Sequence, residues 1–304
     1  MSKFDAAQLF SVKGLVAVVT GAGSGLGEAM AHALDVNGAD KVFILGRRES
    51  KLKEVASKAE NGSLIPVRCD VSSKESLQAA VSTIGKQTGF INLLVANAAY
   101  LGEVTNMGPR PAEQTLGELQ KELWNKQTYE DASQVVSTNI AGSYFTFLAF
   151  LGLLGAGNTH PDSVGKSGLL QSQFISTTSL GGLRRAESPS YVYNASKAAL
   201  NHLTKSLSSE YAKHGVRANA IAPGFFVTEM TEDYTPDEDV SAVGSRPWQE
   251  TPATRWGTEE DMAGAVLYLA SRAGSFVNGC ILLPRRWGPL SEAGLLLEAE
   301  STSK

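Results

Sequence analysis

Cysteine is scarce. The 304 residues carry only Cys69 and Cys280, too few for a disulfide framework, so a reducing compartment is expected. Blocks of like charge are missing as well. With 27 basic and 31 acidic side chains the formal charge is −4, which leaves no basic stripe for nucleic acid or a membrane surface. The four histidines, His32, His160, His202 and His214, show no ligand spacing, and no catalytic metal is expected. No long apolar stretch opens the chain, and the run 15–20 is too short for a signal peptide core. Residues 132–159 contain no charged side chain, and 140–157 is long enough to suggest a membrane span. Ser143, Thr146, several glycines and Asn139 at its start suit a helix buried in an α/β core or at a subunit interface better. A soluble, cytoplasmic protein is the expectation.

A hydrophobic fraction of 42% is ordinary for a globular chain of this length. Short β-rich runs at 15–20, 41–45, 64–69, 93–96, 173–176 and 218–221 alternate with helix-like segments near 26–37, 50–60, 73–87, 129–154 and 192–213. The first strands are continuous apolar runs, as expected when both faces of a sheet are covered. This alternation predicts an α/β fold of Rossmann type, a doubly wound parallel sheet, with residues 1–304 forming one domain. Insertions are expected near 100–126, where Pro109, Pro111, Gly102, Gly108 and Gly117 break the pattern, and near 155–171. An irregular, aromatic-bearing segment at 225–252 reads as a substrate lid, and 284–304 as a tail.

The first strand runs into Thr20-Gly21-Ala22-Gly23-Ser24-Gly25-Leu26-Gly27, followed at once by a helical pattern. Glycines there allow a tight turn and close approach of backbone to a pyrophosphate, and the helix start offers free N–H groups. Glycine turns also serve plain structural roles, but here both the strand before and the helix after are in place. A nucleotide is therefore expected on Gly21, Ser24, Gly25, Leu26 and Gly27. The second strand ends in Leu45-Gly46-Arg47-Arg48, with no carboxylate for ribose hydroxyls. Arg47 and Arg48 suit a 2′-phosphate, which favours NADP(H) over NAD(H); the plainer alternative is a solvated loop.

Of eight tyrosines, only Tyr193 has a lysine four residues later, Lys197, on the same helical face. A phenol titrates near pH ~10 by itself, and a neighbouring ammonium favours its ionised form. Such a phenol can give its proton to a carbonyl oxygen. Upstream, Ile175-Ser176-Thr177-Thr178-Ser179-Leu180-Gly181-Gly182 follows a strand at the carboxyl edge of the sheet, where a hydroxyl can reach the same oxygen.

Taken together these motifs resemble the short-chain dehydrogenase/reductase family over roughly residues 12–283. The resemblance implies an active-site tetrad of Asn139, Ser179, Tyr193 and Lys197. Ser179 is preferred because it precedes Gly182 by three; Thr177 is the fallback. It further implies that Asp70 and Val71 contact the adenine. Asn97 and Ala98 stand in a degenerate form of the family's Asn-Asn-Ala-Gly motif, Ala96-Asn97-Ala98-Ala99. Pro223, Gly224, Val227 and Thr228 would border the nicotinamide. By the same resemblance Asn139 holds a water that relays protons to Lys197. Plainer roles stay open: Asn139 as a satisfied interface polar group, Asp70 as a helix cap, Asn97 as a loop closer.

The implied activity is NADP(H)-dependent reduction of a ketone to an alcohol, with Tyr193 as general acid. Thr254-Arg255-Trp256-Gly257 and the following Glu259-Glu260-Asp261-Met262-Ala263 are similar to rhamnolipid-type 3-oxoacyl reductases, which makes β-ketoacyl thioesters candidates. Secondary-metabolite ketones are the other candidates. Phe225, Phe226, Tyr234, Trp248 and Trp256 suggest an apolar ligand beneath the lid. A homodimer through 129–154 and 192–213 is implied; the divergent Leu283-Pro284-Arg285-Arg286 end puts a homotetramer in doubt. The competing class is a member repurposed for cyclisation, isomerisation or regulation without net redox turnover.

Overall fold

The computed structural model describes residues 4–105, 113–163, 170–184, 190–232 and 255–284. After a helical turn, α1 (Ala6–Leu9), the chain alternates β1 (Val16–Thr20), α2 (Gly25–Val36), β2 (Lys41–Gly46), α3 (Glu49–Ser57), β3 (Leu64–Arg68), α4 (Lys74–Gly85) and β4 (Leu93–Ala96). There follow α5 (Leu116–Lys126), α6 (Tyr129–Val136), α7 (Ser143–Gly157), β5 (Gln173–Thr177), α8 (Tyr191–Glu210), β6 (Arg217–Ile221), α9 (Glu259–Ala270) and β7 (Ile281–Leu282). The strands form one parallel sheet in the order β3-β2-β1-β4-β5-β6-β7.

Every residue of β1 is buried. Its side chains alternate between two cores, as a pleated strand with both faces covered requires. Ala17 and Val19 join Met30, Leu34, Leu52, Val266 and Leu269 on one face. Val16 and Val18 join Leu77, Ile84, Phe147, Phe150, Leu154 and Leu207 on the other. The order reverses between β1 and β4, since β2 and β3 lie to one side and β4 to β7 to the other. That switch opens a crevice at the carboxyl ends of the strands.

The uncharged stretch forms one 29-residue helical rod, Tyr129–Gly157, that is long and apolar enough by composition to cross a membrane. Its inner side instead packs on the sheet. Phe147 is fully buried and meets Phe174 and Tyr211 edge to face, with centroids at 5.2 and 4.9 Å. A π-helical turn at Ser137–Gly142 interrupts the rod between α6 and α7.

The expected insertions are more regular than the sequence suggests. Residues 116–126 form α5, opened by a capping box in which Thr115 and Glu118 satisfy each other's backbone N–H. Gly155 to Gly157 still belong to α7, and Asn158 ties the next loop to Ser172 N (2.8 Å) and Gly215 O (2.9 Å). The helix α9 and the two-residue β7 were not legible as periodic runs, although Thr258 and Asp261 spell a capping box at the start of α9. Gly108, Pro109 and Pro111 lie outside the described residues, as do Tyr234, Trp248, most of the expected lid and the tail after Pro284.

The packing of α7 generates a stability prediction. Phe147→Ala should lower the unfolding free energy by about 3–5 kcal/mol, read as a lower denaturant midpoint at unchanged slope.

Candidate active site

At the carboxyl ends of the strands lies a cavity of about 1310 Å³, lined by the glycine turn and by the segments after β2, β3, β4, β5 and β6. Six segments distant in sequence therefore share one crevice.

On one side the glycine turn leads into α2. Its N-cap Ser24 makes no side-chain bond to the first turn, unlike Ser73, Thr115, Thr128 and Ser190 at their helices. The first N–H groups of a helix have no internal partner, so here they are left to the cavity. Gly25 sits at φ +57°, where only glycine is unstrained. A Cβ on Gly27 would strike the Gly21 carbonyl oxygen and approach the Asn97 amide nitrogen to 2.6 Å. Asn97 holds this geometry: its Nδ2 donates to Thr20 O (3.1 Å) and Gly21 O (3.2 Å), and its N–H donates to Thr20 Oγ1 (3.0 Å). The cradle fits a dinucleotide pyrophosphate, with N–H donors, a helix dipole and no side chain in the way. Gly21, Ser24, Gly25, Leu26, Asn97 and Ala98 line the cavity. Gly27 lies beneath it as packing.

At the outer end, Asp70 and Val71 line the wall after β3. Asp70 accepts Ser72 Oγ (2.6 Å) and Ser72 N (2.9 Å), and these bonds, with Arg47 nearby, hold its carboxyl below the usual range. The capping role falls to Ser73. Both arginines line the cavity, but they differ. Arg48 is engaged by Glu229, with Nη2–Oε2 at 2.7 Å. The β2 end carries no carboxylate of its own; the fold brings one from 181 residues away. No sequence signal announced Glu229.

The inner end is built by α8 and the β5 exit. Ser190 caps α8 by accepting Tyr193 N at 3.3 Å, and Lys197 follows one turn on. The Ser179 hydroxyl lies beside the Tyr193 phenol and favours its ionised form, and its oxygen accepts Gly181 N at 3.0 Å. Lys197, only 2% exposed, donates to the Thr177 carbonyl at 2.8 Å, with its amine 5.4 Å from the Tyr193 ring centre. Ser179, not Thr177, is thus the hydroxyl beside the phenol; Thr177 contributes its carbonyl, and its buried Oγ1 has no partner.

The electrostatics differ from the sequence-based expectation. Burial pushes the Tyr193 phenol up to about 12, against a smaller lowering by the Ser179 hydroxyl. Burial pulls the Lys197 amine down to about 7. For both groups the loss of water is the dominant cause, so the phenol is not brought below its ordinary value.

Asn139 lies in the π-helical turn, a feature often found at functional sites. Its side chain clasps Tyr100, accepting Tyr100 N (2.8 Å) and donating to Tyr100 O (2.9 Å), and gives its second hydrogen to Ser196 Oγ (3.0 Å). Ser196 in turn donates to Tyr193 O at 2.7 Å. Both amide hydrogens are therefore committed, and the side chain positions α8. Sequence reasoning overlooked Tyr100 and Ser196.

Pro223, Gly224 and Thr228 line the cavity, while Val227 does not. Phe226 is buried against Gly257 in a β-bridge, and the next side chain in an extended segment points the other way, leaving Val227 45% exposed. Phe225 and Phe226 both contribute to the cavity lining. Trp256 does not: it is 4% exposed and packs edge to face on Phe225 with centroids 5.8 Å apart.

These shifts set a pH dependence of stability. The unfolded chain protonates Lys197 up to its ordinary 10.5, while the folded chain releases that proton near 7. The unfolded state thus binds more protons between those values, and stability rises with pH there. The difference in unfolding free energy between wild type and Lys197→Met, measured without cofactor, should favour wild type increasingly from pH 7 to pH 10.5.

The family model described as enoyl-(acyl carrier protein) reductase matches residues 21–283. The short-chain dehydrogenase/reductase SAT3 of Stachybotrys chartarum is 42% identical over 262 residues, covering 84% of this chain and 95% of that protein. The short-chain dehydrogenase/reductase PhomF of Diaporthe leptostromiformis is 43% identical over 283 residues, covering 91% and 92%. Among solved structures, the Pseudomonas aeruginosa RhlG/NADP active-site complex superimposes with a TM-score of 0.73 at 25% identity, covering 90% of this chain and 96% of that one. With a seven-stranded parallel sheet, a glycine cradle and a Ser-Tyr-Lys cluster at one crevice, the chain belongs to the short-chain dehydrogenase/reductase family of carbonyl/alcohol oxidoreductases.

Proposed function

We propose that this protein is an NADP(H)-dependent reductase that turns the ketone of a β-ketoacyl or secondary-metabolite substrate into an alcohol. One observation carries the reading: the Tyr193 phenol and the Ser179 hydroxyl are neighbours at the wall of the crevice, with the Lys197 amine 5.4 Å from the phenol ring centre. The bound nicotinamide supplies the hydride. The residues of the chain supply the rest. Ser179 holds the substrate oxygen, and Tyr193 keeps a proton at its phenolic oxygen until charge develops there. A phenol pushed up to about 12 stays protonated throughout the neutral range, as a general acid must. Lys197, down to about 7, changes charge within that range beside it. Asn139 and Ser196 fix the helix that carries both groups.

The cofactor preference rests on Arg47 and Arg48 at the outer end of the crevice, and on the solved relative bound to NADP. The substrate class rests on the apolar wall of Phe225, Phe226, Leu180, Leu101 and Val104 beside Ser179 and Tyr193. Such a wall suits a bulky or acyl ketone better than a small polyol. The protein would work in the cytoplasm as a homodimer, with Tyr144 and Val136 of the helical rod among the exposed apolar side chains.

The test is NADPH consumption against ketones ranging from acetoacetyl thioesters to cyclic and aromatic carbonyls. Tyr193→Phe should lower kcat by roughly 10²–10⁴ with little change in NADPH affinity. NADPH binding without consumption of any ketone would favour the repurposed class. Turnover surviving in Tyr193→Phe would remove the phenol from the acid role.

A further inference from the structure

At the outer end of the crevice three segments meet on one carboxylate. Glu229, in the turn after β6, accepts Arg48 Nη2 at 2.7 Å and Nη1 at 3.4 Å from the end of β2. It also accepts Ser24 Oγ at 3.0 Å from the glycine turn, while Arg48 Nη2 reaches the same hydroxyl at 3.3 Å. All three residues line the cavity. The turn that carries Glu229 is braced: Thr228 N donates to Thr231 Oγ1 at 3.0 Å, and that hydroxyl donates to Phe226 O at 2.7 Å. Thr228 itself lies against the glycine turn, where a Cβ on Gly25 would come within 3.1 Å of Thr228 Cγ2. Segment 228–229 therefore overhangs the phosphate cradle, and its carboxylate grips the guanidinium that the NADP(H) reading assigns to the 2′-phosphate.

We propose that Glu229 is an internal stand-in for the 2′-phosphate, a specificity-determining residue that competes with it for Arg48 and Ser24. The inference rests on the NADP(H) reading. A carboxylate taking both terminal nitrogens of an arginine presents two oxygens in the fork that a phosphate also presents. Arg48 cannot serve both in that geometry, and the Glu229 charge repels an arriving dianion. Arg48 lowers the Glu229 carboxyl below its ordinary range, so the stand-in is charged at neutral pH. A 2′-phosphorylated nucleotide must displace Glu229 before it gains Arg48, and its apparent affinity falls by the fraction of molecules in which the pair is closed. A nucleotide without that phosphate leaves the pair intact. Glu229 thus narrows the preference for NADP(H) over NAD(H) that the arginines create. The pair is about half exposed (55% and 47%), which keeps the displacement cheap.

Binding without turnover tests this. The full chain is titrated calorimetrically with 2′,5′-ADP and with 5′-AMP, as wild type, Glu229→Gln, Glu229→Ala and Arg48→Ala, each checked by its melting temperature. Both Glu229 variants should bind 2′,5′-ADP roughly two- to tenfold more tightly, with 5′-AMP unchanged within about twofold. Arg48→Ala should weaken 2′,5′-ADP, and adding Glu229→Gln to it should give no gain. Equal shifts for both nucleotides, or weaker 2′,5′-ADP binding in the Glu229 variants, would make Glu229 a structural latch and overturn the proposal. A wild-type preference for 2′,5′-ADP that Arg48→Ala removes and Glu229→Gln leaves untouched would overturn it while sparing the NADP(H) reading. A wild type that binds the two nucleotides equally, with no effect of Arg48→Ala, would bring down both.

Discussion

The amine of Lys197 is held out of water, 2% exposed, with the Thr177 carbonyl 2.8 Å away. Much of the crevice follows from keeping it there. A buried ammonium is costly unless paired and hydrogen-bonded. Among the described residues no carboxylate forms an ion pair with it, and the group answers by releasing its proton near 7. The same exclusion of water drives the adjacent phenol the other way, to about 12. Desolvation therefore brings the two pKa values in the free protein to the positions from which acid chemistry starts. Any added charge in the crevice acts on groups that are already displaced.

Holding that amine in place takes a frame of hydrogen bonds between segments far apart in sequence. Thr178 N donates to Ile221 O at 2.7 Å and Leu180 N donates to Pro223 O at 2.9 Å, locking the β5 exit to the β6 exit. Asn97 performs the same service between β4 and the glycine turn. Asn139, in a turn wound more widely than an α-helix, reaches both the Tyr100 backbone and Ser196 on α8. Several residues that a motif reading assigns to a ligand thus spend their polar atoms on one another. They shape the crevice before anything enters it, which is how a site avoids reorganising during reaction.

The two ends of the crevice follow opposite rules. At the inner end, buried groups shift by losing water. At the outer end, Arg48 and Glu229 are about half exposed, and their attraction is screened and modest. Exchange of one partner for another is easy there, while the inner end stays fixed. A long cofactor that is anchored at one end and exchanged at the other calls for that division.

Fold class, the first six strands, the glycine turn and the Tyr193/Lys197 pair were determined by local sequence alone. They depend on short-range physics: apolar runs for covered strands, glycine where a side chain would collide, and four-residue spacing on one helical face. Other features could not be read that way. The family resemblance preferred Ser179 to Thr177, but which hydroxyl the β5 exit turns toward α8 is decided by the fold. The commitment of Asn139 to Tyr100 and Ser196, and the outward turn of Val227, depend on packing between distant segments. Glu229 on Arg48 is the plainest case, a contact across 181 residues that appears only when β2 and β6 end at the same rim. Tertiary structure decided these because hydrogen bonds and desolvation act over a few ångströms in space, without regard to distance along the chain.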